Sequence, residues 1–368
     1  MSAITVDGEE AWRRVRLLRS DPPGRAAREG QRRRTFGAAL DQAEELWRAG
    51  ERVSSNASPI VLYYSLTQGA RALCAARIDG GEWDGAPSHG LTLLRPDAQQ
   101  DAAPSLSSIT VRTHGRGFVQ QVADLLESPT LNDSADLAAL LHSLPEHAEF
   151  MLIDNATAAR PLEVHDSTFF ERSTISHPPH DVSAFVGPLP THLEHRAEPN
   201  TASHWPDSPT VDEVVAWFSK YPSLSAAGRP FSIGYRNPLA LSRPIQSGVH
   251  VHWNLEKEVP WGQSATWFKT IIDVITADPV GAGMSGLALP AVAGNTAALH
   301  PLVAWWIVLY TCSMLARYHP RSWVALLDVD TCVSAVPLGL VLEVAHRTMP
   351  ALLLRAFFDT AEPSHASS

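Results

Sequence analysis

One stretch, SPIVLYYSLTQGARALCAAR at residues 58–77, sets Tyr64, Ser65, Gln68 and Arg71 within two helical turns, and Ser88-His89-Gly90 follows in the next loop. Hydroxyls, an amide, a guanidinium and an imidazole gathered in this way hold a ligand by hydrogen bonds, or else satisfy one another inside a bundle. Arg317 or Tyr318, at the end of an apolar C-terminal stretch, is a candidate to meet them. The residues leave two readings open: a ligand pocket, or a lock that holds loop to helix.

Other residues suggest chemistry that their spacing does not complete. Eight of the sixteen histidines fall between His165 and His252. His250-Val251-His252 puts two rings on one face of a strand, and His192 and His195 share a helical turn. No HExxH, no paired CxxC and no suitably spaced acid completes a metal set, so these read as surface or satisfied histidines and no cofactor is expected. There is no GxSxG elbow and no phosphate-binding glycine–lysine loop, and Gly281 to Gly286 reads as a flexible connector. Between Ala11 and Arg34 stand nine arginines against Asp21 and Glu29, the one strongly basic run in a chain of net charge −10. It reads as a solvated helix face, or as a contact for a phosphate backbone or an acidic partner.

The elements that must position these groups are legible from periodicity. Residues 9–50 read as two helices split by Asp21-Pro22-Pro23-Gly24, with Phe36, Leu40, Ala43 and Trp47 on one stripe. Ser58 is the expected N-cap of the next helix, with Pro59 in its first turn. Tyr63, Leu66, Ala70 and Leu73 make its core stripe, and Gly69 with its alanines allows a close neighbour. Ser107 to His114 alternates like a strand. Helices are expected at 117–126, 133–144 and 210–221, and short strands at 150–153, 162–165, 182–186, 231–235 and 249–253. Leu302 to Ala316 is apolar on every side and, at about fifteen residues, falls short of the roughly twenty that span a bilayer. It reads as a buried central helix, followed by helical pieces at 320–328, 331–346 and 350–358.

The bulk composition agrees. Hydrophobic residues at 45% and charged residues at 18% are those of a globular chain with a sizeable core. Three cysteines, Cys74, Cys312 and Cys332, all in helical contexts, argue against a disulfide framework and for a cytoplasmic location with no membrane span. The fold expected is α+β and mainly helical. Residues 1–95 and 287–368 would supply one bundle, and 96–286 an inserted region of short strands.

The motifs YYSLTQ, HGL, HPLVAWW and SMLARYHPRSW, in that order after AWRRVRLLRS, resemble the bacterial YaaC-like family. A helix of the form YYSLTQGARAL followed by Ser-His-Gly also resembles the second helix of HEPN domains, small helical bundles of toxin–antitoxin and antiviral systems. That resemblance implies a HEPN-like bundle. In its catalytic members it implies a metal-independent ribonuclease with an arginine and a histidine about five residues apart on a late helix. Here Arg317 and His319 are two apart and His346 adjoins Arg347. The five-residue spacing occurs only at Arg160–His165 and Arg172–His177, in strand-like or proline-containing segments. With His89, these are the only ribonuclease candidates. The resemblance therefore favours a non-catalytic module that binds a partner protein, a nucleotide or RNA, with a homodimer and a pure scaffold as further options.

Overall fold

The computed structural model describes residues 7–80, 83–84, 88–94, 104–152, 158–166, 181–190, 193, 210–234, 248–254, 264–276 and 284–359. The chain is α+β, mainly helical, with small antiparallel sheets. It divides into two compact units.

The helical unit takes Thr5–Ala158, Val292–Asn295 and Leu299–Ser368. Its first three helices are α1 (Gly8–Ser20), α2 (Gly30–Gly50) and α3 (Ser58–Arg77). A three-stranded sheet, β1 (Leu91–Leu94), β2 (Thr110–Thr113) and β3 (Ala135–Asp136), is accompanied by α4 (Phe118–Leu125) and α5 (Leu137–His142). The second unit begins at Ala159, apart from four N-terminal residues. The reason is burial: Val111, Val119, Val122, Leu137, Leu140 and Leu141 join the same apolar cluster as Trp305, Trp306 and Leu309.

Those last residues belong to the C-terminal helix α9 (Pro301–Tyr318), buried from Pro301 through Ser313. Pro301 sits in its first turn, where a missing N–H costs nothing, and the His300 Nδ1 accepts from Leu302 N at 3.1 Å. It is followed by α10 (Pro320–Leu326) and α11 (Ala335–Asp359). At the start of α3 the cap is Ala57, with Ser58 already inside the helix and no side chain capping it. Gly69 answers a packing need, since a Cβ there would lie 2.6 Å from Leu353 Cδ2 of α11.

The sequence suggests a break at Pro350, yet α11 runs through it. A proline inside a helix removes the N–H that would bond the carbonyl four residues earlier, here that of His346. The Trp47 indole N–H donates to that carbonyl at 2.7 Å. The two rings stack at 4.4 Å, and His346 Nε2 lies 3.0 Å from the Trp47 carbonyl oxygen. The orphaned acceptor is thus satisfied by another helix. Ala335–Phe358 is long and apolar enough to cross a membrane, and half of its apolar window is buried inside the unit.

The second unit, chiefly Ala159–Ala291, holds a six-stranded antiparallel sheet. Its strands are β4 (Leu162–Asp166), β5 (Asp181–Gly187), β6 (Ser232–Gly234), β7 (Val249–Asn254), β8 (Val274–Thr276) and β9 (Ser285–Ala288), in the order β6-β7-β5-β4-β9-β8. Val164, Val182, Ala184, Val249, Val251 and Trp253 make a core with α6 (Val211–Phe218), α7 (Pro222–Ala226) and α8 (Ser264–Phe268). Helix α6 opens on a reciprocal cap: Glu213 N donates to Thr210 Oγ1 at 3.3 Å, and Thr210 N donates to Glu213 Oε2 at 2.8 Å. Ser285 and Gly286, expected in a connector, form part of β9, while 281–283 lie outside the described residues. No strand forms at 150–152, where a 3-10 turn at His147–Glu149 ends on Phe150.

If Trp47 replaces the N–H that Pro350 removes, Trp47→Phe should cost about 1–3 kcal/mol beyond its lost packing, the desolvation cost of one orphaned acceptor. In a Pro350→Ala background the new backbone N–H would serve the His346 carbonyl, and that extra cost should disappear. Urea unfolding of the four proteins measures the coupling, and strictly additive losses would refute the pairing.

Candidate functional site

The Ser-His-Gly loop is shaped by the first turn of α4. Phe118 N donates to Ser88 O at 2.9 Å, Val119 N to His89 O at 3.2 Å, and Gln120 Nε2 to Gly90 O at 3.0 Å. The N–H groups that a helix leaves unpaired at its start are used to hold the loop. Gly90 has φ +78°, and a Cβ there would meet Gln120 Oε1 at 2.0 Å, so glycine is required. The loop presents His89 to α3.

There Tyr63 Oη lies 2.7 Å from His89 Nδ1. The Tyr63 ring meets those of Tyr64, His89 and Tyr310 edge-on at 5.4, 5.6 and 5.7 Å. Tyr310, on α9, donates its hydroxyl to Leu91 O of β1 at 2.8 Å. Two turns further along α9, Arg317 donates to Tyr64 Oη at 3.0 Å and to Tyr318 Oη at 2.9 Å, and stands over both rings. Tyr63 and Tyr310 are buried, Tyr64 is half-buried, and His89, Arg317 and Tyr318 are open to solvent. Burial pushes the Tyr63 hydroxyl up to about 12, so it stays protonated. Burial, followed by the positive charge of Arg317, holds His89 below its ordinary value and keeps its ring neutral.

The expected cluster therefore divides. Tyr64, His89, Arg317 and Tyr318 come together on one surface. Ser65 does not join them, since its hydroxyl is buried and donates to Ala43 O at 2.7 Å, tying α3 to α2. Gln68 lies with Tyr64 in an adjoining shallow groove, with Gln42, Glu45, Leu46 and Val61. Arg71 turns to the loop, bonded to the Asp84 carbonyl and carboxylate at 2.9 and 3.1 Å, and stands over the Phe118 ring. Tyr63 and Tyr310, expected from the sequence only as packing residues, add their hydroxyls to the hydrogen-bonded array. The signal for Tyr310 was present, because Tyr310, Met314 and Arg317 follow i, i+4, i+7 spacing and so share a face.

Of the ribonuclease candidates in the sheet unit, Arg160 and His165 are described. Arg160 precedes β4 and His165 lies within it, about 16 Å apart along extended chain at 3.3 Å per residue. His165 Nδ1 is 2.8 Å from Ser285 Oγ, and it shares the sheet face opposite the core with His250 and His252. Arg172 and His177 lie outside the described residues, as do His192 and His195. No cluster of three histidine, cysteine or acidic side chains suited to a metal occurs among the described residues. A separate titratable group surrounds Trp305. His142 Nδ1 and His147 Nε2 are 2.8 Å apart, and the Trp305 indole donates to Glu146 Oε2 at 3.0 Å. Glu146 keeps some exposed surface, but its carboxyl is buried where it accepts the indole N–H, and burial pushes it up to about 7.

The basic run divides too. Arg32 is buried and donates to the carbonyls of Ala75, Ile78 and Gly80, capping the end of α3. Arg13 and Arg14 pair with Glu10, and Arg25 with Asp79. Arg16, Arg19, Arg33 and Arg34 line an open groove with Ser20 and Gly37.

Fold and site together define an α+β protein whose helical unit carries an open tyrosine, histidine and arginine surface at the end of a buried central helix. The chain belongs to the YaaC-like protein family, whose profile matches residues 12–357. No curated protein matches the chain, and no solved structure does.

The depressed His89 value has a direct check. Imidazole NMR across a pH series should place its titration below 6.5, and Arg317→Ala should move it upward. Because the folded value lies below the unfolded one, the stability linked to His89 is complete above about 6.5 and falls away as pH drops through the folded value. An unshifted titration in Arg317→Ala would remove arginine as a cause.

Proposed function

We propose that the chain is a non-catalytic binding module and that the surface formed by Tyr64, His89, Arg317 and Tyr318 takes a nucleotide, free or as a unit of RNA. The observation that carries this reading is the placement of Arg317. Its guanidinium is bonded to two tyrosine hydroxyls at the rim, with N–H donors left over and the Tyr64 and Tyr318 rings at 5.8 and 4.8 Å. A planar base suits the tyrosine faces, and a phosphate suits the guanidinium. A neutral His89, paired to Tyr63, offers a hydrogen-bonding edge without adding charge. In this reading the helical unit is HEPN-like with α3 as its second helix, and it lacks the arginine–histidine pair of a ribonuclease. A cytoplasmic stress or phage-defence setting, a partner protein and a homodimer belong to the same reading by association alone.

Thermal melting with mononucleotides and with a short single-stranded RNA, in the presence of chelator, tests it. A ligand at a hundredfold excess over its Kd adds about 2.7 kcal/mol to stability, a shift easily read. Tyr64→Ala and Arg317→Ala should abolish the shift, and the RNA should be recovered intact. A wild-type protein indifferent to every nucleotide would leave a scaffold. RNA cleavage lost in His89→Ala, His165→Ala or His177→Ala would replace binding with ribonuclease chemistry.

A further inference from the structure

The groove between α1 and α2 gathers Arg16, Arg19, Arg33 and Arg34 on one open face of a chain whose net charge is −10. Three of the four are anchored by partners on α1 and α2. Arg16 Nε lies 3.2 Å from Glu44, with Glu9 at 3.8 Å; Arg19 pairs with Asp41 at 2.7 Å; and Arg33 donates to the Ser20 carbonyl at 3.2 Å. Glu9 and Glu44 also serve Arg48, so they are shared and do not neutralise Arg16 alone. Arg34 has no ion pair among the described residues, and Arg33 bonds only a neutral carbonyl there. A Cβ added at Gly37 would meet nothing within 4 Å, so the groove is open at that point.

We infer that this groove binds the phosphate backbone of a single-stranded nucleic acid. Arg16 and Arg19 stand about 4.5 Å apart along the axis of α1, at 1.5 Å per residue. Anchored guanidiniums spread in this way cannot collapse onto one anion. They present separate N–H edges to successive phosphates, each of which offers two free oxygens. A carboxylate ligand would only exchange with Asp41 and Glu44, which already occupy one edge of Arg19 and Arg16. The groove lies apart from the residues assigned to the tyrosine surface and does not depend on the reading of that surface.

Fluorescence anisotropy with labelled oligouridylate and oligothymidylate, between ~50 and ~200 mM salt, tests the inference. The wild type should bind more weakly as salt rises. Arg33→Ala/Arg34→Ala, which alters two exposed side chains, should flatten the plot of log K against log salt by about 1.4, or about 0.7 for each lost phosphate contact. Circular dichroism should show its fold unchanged. Tyr64→Ala, which removes an aromatic face and no charge, should keep the wild-type slope even where affinity falls, which separates this inference from the nucleotide reading. Absence of binding, or an unaltered slope in the arginine double variant, would overturn it. So would equal displacement, charge for charge, by tripolyphosphate or by polyglutamate, which would assign the groove to free polyphosphate or to an acidic protein.

Discussion

Helix α9 carries apolar side chains on every side, and its unit is built to cover it. Burying Trp305, Trp306 and the aliphatic residues between them contributes about 1.5–3 kcal/mol for each large side chain. That gain is available only if partners approach from all directions. The small-residue helix α3 supplies one wall and α4, α5 and β1 supply others, so segments far apart in sequence meet on one cylinder. Residues 104–152 belong to the helical unit for this reason, although their short elements look like those of the sheet unit.

The tyrosine surface lies where that covering ends. Tyr310 is still buried, while Arg317 and Tyr318, two turns on, face solvent. A tyrosine hydroxyl at such a boundary must find a partner or reach water, and each of these has done one or the other. Tyr310 takes a carbonyl of β1, Tyr63 takes His89, and Tyr64 and Tyr318 accept from Arg317. The loop that brings His89 is in turn held by the N–H groups of α4. The site is thus assembled from groups that the burial of α9 leaves with unmet hydrogen bonds, and it is both lock and surface: the lock is Tyr63–His89, the surface is Tyr64, Arg317 and Tyr318.

Much of this was legible in the sequence. The helical stripes of α2 and α3 and the central helix follow from spacing. Three features were not legible, each for a physical reason. Ser65 is a polar residue on a half-polar face, and periodicity cannot say that a carbonyl of α2 lies opposite it. Pro350 reads as a helix break because its lost hydrogen bond is local, whereas the donor that replaces it, Trp47, is about three hundred residues away in sequence. Residues 104–152 carry no mark of which core they join, since a short amphipathic strand fits either.

The arginines between 11 and 34 show how one composition divides into different physical roles. Arg32 is bonded to three carbonyls at the end of α3 and has little freedom to serve anything else. Arg13 and Arg14 share one glutamate on an exposed helix face, an arrangement worth a few tenths of a kcal/mol. Arg16 and Arg19 in the groove differ because their carboxylates stand at one edge only, so their positions are fixed while the charge of Arg33 and Arg34 beside them is unanswered among the described residues. Fixed position with unanswered charge is the condition for an anion to bind without first paying to order the side chains that hold it. Charge runs in acidic proteins are therefore better judged by which guanidinium edges remain unbonded than by the number of arginines.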